Sequence, residues 1–214
     1  TTGAIAEYLQ NTPDDLVLCA LPLTHTYGLF QVLVGARIGH AVALEPSFTY
    51  TFEVLRRMQD LRVTGFPGVP ALYGQILQLD ALAQLDLSSL RYLTNAAGPL
   101  PPAQVQRLRQ VFPQARLFPM YGLTECTRVC YLEPELVDSK IGSVGKAMPN
   151  CEAYVVDEHG VRVGPGKVGE LVVRGANVMR GYWQRPEETQ KAFFAADVAG
   201  DRVLRTGDLF RTDD

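Results

Sequence analysis

The chain has 214 residues, of which 47% are hydrophobic and 20% are charged, and its formal net charge is −3. This composition is typical of a soluble globular protein that is long enough to build one large core or two small ones. The arrangement of the charged residues argues against a nucleic-acid partner, because no stripe of Lys and Arg interleaved with aromatic residues occurs in the sequence.

No stretch of the sequence predicts a membrane span or a secretory signal. The longest apolar stretch, 29–38, is interrupted by Gln31, Gly35 and Arg37 and is too short to cross a bilayer. The cysteines lie among apolar neighbours without the paired spacing of a zinc site, which favours buried thiols over disulfides or a metal: Cys19, Cys126, Cys130 and Cys151. We therefore expect a cytoplasmic protein.

The first part of the chain alternates between predicted strands and predicted helices. Apolar runs predict strands at 16–21, 41–44, 63–66, 91–95 and 115–120. Periodicity or apolar composition predicts helices at 28–38, 52–61, 71–79 and 101–112. The helix at 28–38 is almost wholly apolar and is expected to be buried. Such alternation is typical of right-handed crossovers and a largely parallel sheet with flanking helices.

From about Lys140 the pattern changes to short β-like segments separated by Gly-rich and Asp-rich turns. Strands are predicted at 143–147, 152–156, 168–174 and 202–205, with one helix at 186–194. We expect an α/β fold in which residues 1–139 form an α/β subdomain. Residues 140–214 are expected to form a small, mainly antiparallel subdomain that resembles a distorted barrel.

A polar cluster follows the predicted strand at 115–120. Tyr121 offers a flat face for a base, Thr124 can donate to a phosphate oxygen, and Glu125 can supply a hard oxygen ligand to Mg²⁺. The carboxyl ends of parallel strands are where ligands bind, so the loops at 24–27, 67–69, 96–99 and 121–125 are expected to line one crevice. The cluster indicates a nucleotide site; the alternative is that Thr124 caps a turn and Glu125 is merely solvated.

Eight short motifs occur in an order and at a spacing that resemble one known family. They are Leu21-Pro22-Leu23-Thr24-His25, Val69-Pro70-Ala71, Ala97-Gly98-Pro99-Leu100-Pro101, Tyr121-Gly122-Leu123-Thr124-Glu125, Gly142-Ser143-Val144-Gly145-Lys146 with Pro149, Gly169-Glu170-Leu171, Gly181-Tyr182 and Thr206-Gly207-Asp208-Leu209. With these motifs the chain resembles the adenylate-forming superfamily of acyl-CoA and aryl-CoA ligases, peptide-synthetase adenylation domains and luciferases. The resemblance covers nearly all of the chain.

The resemblance implies a role for each matching residue. Thr124 would contact the α-phosphate of ATP, and Glu125 would help to hold Mg²⁺. Tyr121 would stack on adenine, and Asp208 would accept both ribose hydroxyls; without the family, Asp208 would be taken for an ordinary turn residue.

The remaining matches concern the acyl side of the site. Ala97 and Gly98 would form the wall between adenine and the acyl pocket. Pro99, in the motif of Ala97, and Gly122, in the motif of Tyr121, would also belong to the nucleotide-binding residues. From the residues alone, the segment around Ala97 could equally be a plain helix-entry turn. His25 would lie at the mouth of the acyl pocket, where the alternative is a structural histidine.

The implied activity is an ATP-dependent ligation in two half-reactions. A carboxylic acid attacks the α-phosphate of ATP to give an acyl-adenylate and pyrophosphate, and the thiol of coenzyme A then displaces AMP. Such transfers depend on positioning and charge neutralisation more than on covalent help from the protein. The implied ligands are therefore ATP, Mg²⁺, coenzyme A and a small-molecule carboxylic acid.

The sequence departs from the family pattern in ways that leave alternatives open. The Ser/Thr/Gly-rich phosphate loop and the terminal domain with its catalytic lysine have no counterpart, so we expect a central piece of the large N-terminal domain that depends on the remaining segments of its own chain. Thr26 stands where amino-acid-activating members commonly have Asp, which favours an uncharged acyl or aryl tail. An adenylation domain that loads a carrier protein, and a non-catalytic interaction module, remain the alternatives.

Overall fold

The structure is a computed structural model that describes residues 1–194 and 202–213. The chain forms two compact units, each with its own set of internal contacts. The α/β unit comprises 2–121 and 131–145, and the β unit comprises Thr1, 122–130 and 146–214. Residues 195–201 and 214, which belong to the predicted β-rich subdomain, lie outside the described residues. The subdomain boundary after residue 139 stays a prediction.

The α/β unit is built on parallel strands, as predicted. The strands are β1 (Leu16–Cys19), β2 (Ala41–Leu44), β3 (Gly65–Gly68), β4 (Tyr92–Asn95) and β5 (Arg116–Tyr121). They lie side by side in the order β2-β1-β3-β4-β5, and each neighbouring pair is parallel. The short strand β6 (Cys130–Tyr131) follows them in the chain. The α/β class expected from the sequence is confirmed.

Strand β3 begins two residues later than the apolar run suggested and extends into a segment predicted as a turn. Pro67 and Gly68 are registered with Thr94 and Asn95 of β4, so the Pro-Gly pair continues the strand. The prediction was wrong because it treated these residue types as turn signals, whereas the pairing with β4 determines where this strand ends.

The helices of the α/β unit connect its strands. They are α1 (Thr2–Leu9), α2 (Thr26–Ile38), α3 (Thr51–Asp60), α4 (Pro70–Leu77) and α5 (Pro102–Val111), with 3₁₀ turns at Asp80–Gln84 and Pro134–Leu136. Pro70 and Pro102 stand at the first positions of their helices, where a missing N–H costs no hydrogen bond. Helix α2 ends at Gly39, whose left-handed backbone returns its N–H to the carbonyl of Gly35.

The core of this unit lies between the sheet and helices α3, α4 and α5. Leu18, Phe66, Leu93 and Leu117 of the strands are fully buried there with helix residues such as Leu55 and Leu108. Val105 and Leu108 of α5 and Phe112, directly after it, are also buried.

Helix α2 is less buried than its composition predicted. Its buried residues are Gly28, Val34 and Gly35, whereas Leu29 and Leu33 remain 40% and 41% exposed. Helix α2 contacts α1, β1 and β2, and these contacts leave Leu29 and Leu33 partly exposed. An apolar sequence alone does not distinguish one contacting face from two.

An ion pair between the buried Asp15 and the partly exposed Arg91 lies at the start of β1. The carboxylate of Asp15 is 2.7 Å from Nη2 of Arg91 and accepts a hydrogen bond of 2.6 Å from the hydroxyl of Thr64 and one of 2.9 Å from the N–H of Thr12. Burial alone would raise the pKa of Asp15, but the hydrogen bonds from Thr64 and Arg91 outweigh it and hold this pKa below its usual value.

The β unit contains a four-stranded antiparallel sheet in the order β10-β11-β9-β8, as the change of pattern predicted. Its elements are β7 (Lys146–Ala147), β8 (Cys151–Val156), β9 (Val168–Gly175), α6 (Pro186–Lys191), β10 (Phe193–Phe194) and β11 (Val203–Arg211). Helix α6 is shorter than predicted because Phe193 and Phe194 pair with β11. Among the described residues, no helix has the length and apolar composition of a membrane span.

Candidate functional site

One edge of the parallel sheet gathers several of the residues predicted for a site. Strands β1, β3, β4 and β5 are adjacent and parallel, so their carboxyl ends lie along the same edge. Strand β5 ends at Tyr121, and the segments that follow β1 and β4 carry the other predicted residues of this unit, namely His25, Ala97, Gly98 and Pro99. In an open parallel sheet this edge is the usual place for a ligand.

His25 is exposed and occupies the N-cap position of α2. Its backbone N–H donates to the carbonyl of Pro22 at 3.2 Å, and its own carbonyl accepts from Leu29 at 3.0 Å. Its imidazole forms no capping hydrogen bond. A general base is normally oriented by a second side chain; the catalytic role predicted for His25 stays a prediction.

The turn after β4 has a strained backbone. Ala97 adopts a left-handed conformation with φ of 63°, which is uncommon for a residue with a side chain. The amide of Asn95 is buried and donates to the carbonyl of Gly98 at 2.8 Å, while its Oδ1 has no partner among the described residues. Strained backbone and an unsatisfied buried acceptor are common features of ligand sites, so both observations are compatible with the predicted role of this segment.

Sequence reasoning missed Tyr27. Its hydroxyl lies 3.0 Å from the carbonyl of Thr94 at the end of β4 and 3.3 Å from the carbonyl of Gly68 at the end of β3. It therefore ties the first turn of α2 to the edge of the sheet, next to His25. No pattern in the sequence singles out this tyrosine, because its partners are 41 and 67 residues away.

In the β unit, residues 122–128 form a tight turn. The carbonyl of Leu123 accepts hydrogen bonds from the N–H groups of Cys126 and Thr127 at 3.2 and 2.6 Å. A Cβ atom on Gly122 would lie 2.3 Å from the carbonyl oxygen of Thr127. Only glycine fits at this position, because the chain folds back directly onto it.

The turn presents Thr124 and Glu125 in different ways. Thr124 is exposed, and its hydroxyl makes no hydrogen bond within the described part of the chain, so nothing supports the turn-capping alternative. Glu125 is partly buried, and its Oε1 accepts a hydrogen bond of 2.7 Å from the hydroxyl of Tyr182. This bond raises the pKa of Tyr182, because a carboxylate acceptor stabilises the protonated phenol. Glu125 is therefore held, and not merely solvated.

The segment 175–182 supports the turn. The side-chain amide of Asn177 donates to the carbonyls of Cys126 and Arg128 at 3.0 and 2.9 Å, and the N–H of Met179 donates to the carbonyl of Glu125 at 2.7 Å. No pattern in the sequence indicates the contacts made by Asn177. Gly181-Tyr182 stands out in the sequence only as one of the eight motifs.

Asp208 lies within β11, where the pairing with β9 shifts register between Arg205 and Leu209. Gly207 has φ of 75° and donates its N–H to Oε1 of Glu170 at 3.0 Å. The N–H of Asp208 donates to the hydroxyl of Thr206 at 3.1 Å. Asp208 is therefore an exposed residue at an irregularity in a long strand and not a residue of an ordinary turn between elements.

Comparison with known proteins identifies the family. Residues 1–183 match the family described as AMP-binding enzyme. The chain belongs to this family.

The relatives of this AMP-binding chain include CoA ligases for different acids. A 4-coumarate-CoA ligase of Narcissus pseudonarcissus is 34% identical over 215 residues, which are 96% of this chain and 38% of that protein. A long-chain-fatty-acid–CoA ligase of Salmonella typhimurium is 32% identical over 202 residues, 94% of this chain and 35% of that protein. The chain thus spans little more than a third of the length of these relatives.

A solved structure extends the comparison to a nucleotide complex. O-succinylbenzoate coenzyme A synthetase from Bacillus subtilis, in complex with ATP and a magnesium ion, is 28% identical and superposes with a TM-score of 0.86. The match covers 100% of this chain and 42% of that chain.

The residues of the 122–128 turn fit a magnesium ion that also contacts phosphates. Glu125 offers a carboxylate that forms no ion pair with a described Lys or Arg, and Thr124 offers an exposed hydroxyl. No group of three or more His, Cys, Asp or Glu side chains lies together in the ranges 1–194 and 202–213. Magnesium commonly binds through one or two carboxylates and completes its shell with substrate phosphates and water, so a single carboxylate suits it.

The cysteines of the β unit are not suited to act as nucleophiles. Burial raises the pKa of Cys126 and that of Cys130 to about 12, so both thiols are protonated at neutral pH. Cys19 is also buried, as predicted, whereas Cys151 is only partly buried.

Proposed function

We propose that this chain is part of an AMP-forming acid–thiol ligase. In the first step a carboxylate oxygen of the acid attacks the α-phosphorus of ATP and pyrophosphate leaves; in the second, a thiol sulfur attacks the acyl carbon and AMP leaves. The observation that carries the proposal is the 122–128 turn in a member of the AMP-binding enzyme family. It exposes a hydroxyl beside a carboxylate that pairs with no Lys or Arg among residues 1–194 and 202–213.

The turn supplies the groups that act on the phosphates. We assign the hydroxyl of Thr124 to an α-phosphate oxygen, to which it would donate, and the carboxylate of Glu125 to Mg²⁺. When bound, the magnesium ion would neutralise phosphate charge. The protein's own contribution is to hold these oxygen atoms in place, which is the main requirement of adenylyl transfer.

Other residues would bind the nucleoside and the acid. We assign Asp208 to the ribose hydroxyls and the ring of Tyr121 to the adenine face. Gly122 would allow close backbone approach. The Ala97-Gly98-Pro99 segment would separate adenine from the acyl pocket. His25 would line the entrance of that pocket, near the place where the thiol arrives, as a candidate catalytic residue.

For the acid substrate we propose a chemical class and not a single compound. The relatives act by name on 4-coumarate, long-chain fatty acids and O-succinylbenzoate. Thr26, at the first position of α2, offers no counter-charge to an ammonium group. We therefore favour an acyl or aryl acid without an amino group, coenzyme A as the thiol, and a cytoplasmic setting with no nucleic-acid partner.

The decisive experiment is exchange between ATP and pyrophosphate, measured on the full-length gene product with fatty, aryl and amino acids. Exchange that depends on an acid, is lost in Glu125→Ala and is retained in Glu158→Ala would support the proposal. Glu158 is a suitable control because its side chain is 86% exposed in a turn of the β unit. No exchange with any acid would contradict catalysis and support a non-catalytic module.

A second assay separates the two thiol acceptors. Adenylate formation followed by consumption of free coenzyme A thiol would support the CoA ligase. Adenylate formation without consumption of that thiol would point instead to an adenylation domain that loads a carrier protein.

A further inference from the structure

The contact between Tyr182 and Glu125 joins two parts of the β unit that are 57 residues apart in the chain. The phenol hydroxyl donates to Oε1 of Glu125 at 2.7 Å, which is a short bond of the kind that a charged acceptor forms. No Lys or Arg in the described ranges pairs with this carboxylate. Among the described residues, Tyr182 is therefore the side chain whose recorded geometry restrains the Glu125 carboxylate.

Tyr182 is itself fixed on the other side. Its N–H donates to the hydroxyl of Thr189 in α6 at 2.9 Å, and that hydroxyl donates to the carbonyl of Arg185 at 2.8 Å. Gly181 precedes it with φ of 146°, and a Cβ atom there would lie 2.6 Å from Cγ2 of Thr189. The backbone at 181–182 thus lies against α6 in a conformation that only glycine allows.

The backbone of the same segment is also fixed to the turn. Met179 donates its N–H to the carbonyl of Glu125 at 2.7 Å, so Glu125 is held both at its main chain and at its carboxylate. A free glutamate side chain loses rotamer freedom when it binds a metal, which opposes binding. Fixing the side chain in advance reduces that loss.

We infer that Tyr182 is a positioning residue that pre-orients Glu125 for a divalent cation. It does so by holding one carboxylate oxygen and leaving the other for the metal. The inference rests on the proposed function, since it needs Glu125 to bind the metal that accompanies ATP. It adds a role that acts through Glu125 and requires no contact between Tyr182 and the nucleotide.

The test measures metal binding directly. Mn²⁺ replaces Mg²⁺, and its free concentration is followed by electron paramagnetic resonance in the presence of ATP and the full-length protein. Tyr182→Phe removes only the hydroxyl and is expected to weaken Mn²⁺ binding about fivefold or more. The matched control is Tyr50→Phe, because Tyr50 is 77% exposed in the α/β unit and should leave binding unchanged.

A second pair of variants guards against misfolding of Tyr182→Phe. Thr189→Val removes the acceptor that fixes the backbone of Tyr182, and Thr189→Ser retains it. Weaker Mn²⁺ binding in the valine variant than in the serine variant is expected. Equal Mn²⁺ affinities in the valine and serine variants would contradict a role for the hydrogen bond between Tyr182 and Thr189.

Combining the substitutions tests whether Tyr182 acts through Glu125. If it does, Tyr182→Phe should have no further effect in a Glu125→Gln background, since the carboxylate it orients is gone. The inference would be overturned if Tyr182→Phe weakened Mn²⁺ binding in the Glu125→Gln background as much as it does in the unaltered protein. Equal Mn²⁺ affinities in Tyr182→Phe and Tyr50→Phe would also overturn it. If the unaltered protein binds Mn²⁺ with ATP and Glu125→Gln binds equally well, the metal role of Glu125 fails, and that failure is distinct from a failure of Tyr182 alone.

Discussion

The hydroxyl oxygen of Tyr27 lies 2.7 Å from the hydroxyl oxygen of Thr94, which is 2% exposed. This contact joins the first turn of α2 to the last part of β4, on the edge of the sheet where His25 and Ala97 also lie. The position of the predicted acyl entrance therefore depends on a tyrosine that belongs to none of the motifs.

Removing this hydroxyl should destabilise the protein measurably. Tyr27→Phe leaves buried oxygen atoms of Thr94 with one partner fewer, which should lower the free energy of unfolding by about 1–3 kcal/mol. Urea denaturation of this variant beside Tyr50→Phe provides the comparison. Identical midpoints would show that the contact contributes nothing to stability.

The ion pair of Asp15 predicts a pH-dependent stability difference. Because its pKa is lowered in the folded state, its contribution is fully present above the unfolded pKa of about 3.9 and is lost as pH falls through the folded pKa. Asp15→Asn should therefore be less stable than the unaltered protein at pH 7, and the difference should shrink below about pH 4. Asp14→Asn is the control, since Asp14 is the exposed neighbour.

Glycine at 122 should be irreplaceable. Gly122→Ala places a methyl group against the carbonyl of Thr127, so we expect a distorted turn, a loss of about 1–3 kcal/mol in stability and a fall in ATP–pyrophosphate exchange. Gly164→Ala meets no atom within 4 Å and should be neutral in both assays. A neutral Gly122→Ala variant would mean that the turn has room to rearrange.

If Asp208 binds ribose, its loss should weaken ATP binding without unfolding the sheet. Asp208→Ala is expected to raise the KM for ATP about tenfold, because charge-assisted hydrogen bonds to two hydroxyls are removed. The melting temperature should stay close to that of Asp14→Asn. An unchanged KM would remove Asp208 from the proposed nucleotide site.

Thiol reactivity offers an independent check on the β unit. With a pKa of about 12, the thiols of Cys126 and Cys130 should resist maleimide labelling of the folded protein at pH 8 and react once it is denatured. Mass spectrometry of digested protein would assign each modified cysteine. Rapid labelling of Cys126 in the native state would show that the 122–128 turn opens readily.

Local patterns predicted the fold better than the details of the site. The parallel sheet could be predicted because each strand is a run of apolar residues that are adjacent in the sequence, and helices alternate with these runs. The end of β3 at Gly68 does not follow from them, because strand pairing overrides the turn tendency of Pro67 and Gly68. The partial exposure of Leu29 and Leu33 in α2 likewise depends on tertiary packing, which the apolar composition of the helix does not reveal.

Contacts between distant residues explain what was missed at the site. Thr124 and Glu125 could be predicted from the sequence because their hydroxyl and carboxylate groups come shortly after a predicted strand. Tyr182 and Asn177 act on the same turn from 49 to 57 residues further along the chain, and nothing in the local sequence reveals such a contact.

The same long separation has a consequence for the order of folding. The strands of the α/β unit that precede residue 122 can pair as soon as they are synthesised, but the 122–128 turn acquires its hydrogen bonds from 177, 179 and 182 only after that later segment has been made. Closing such long loops is slow compared with forming local structure. During synthesis on the ribosome, the sheet should therefore form first, and the residues assigned to the phosphates should become ordered last.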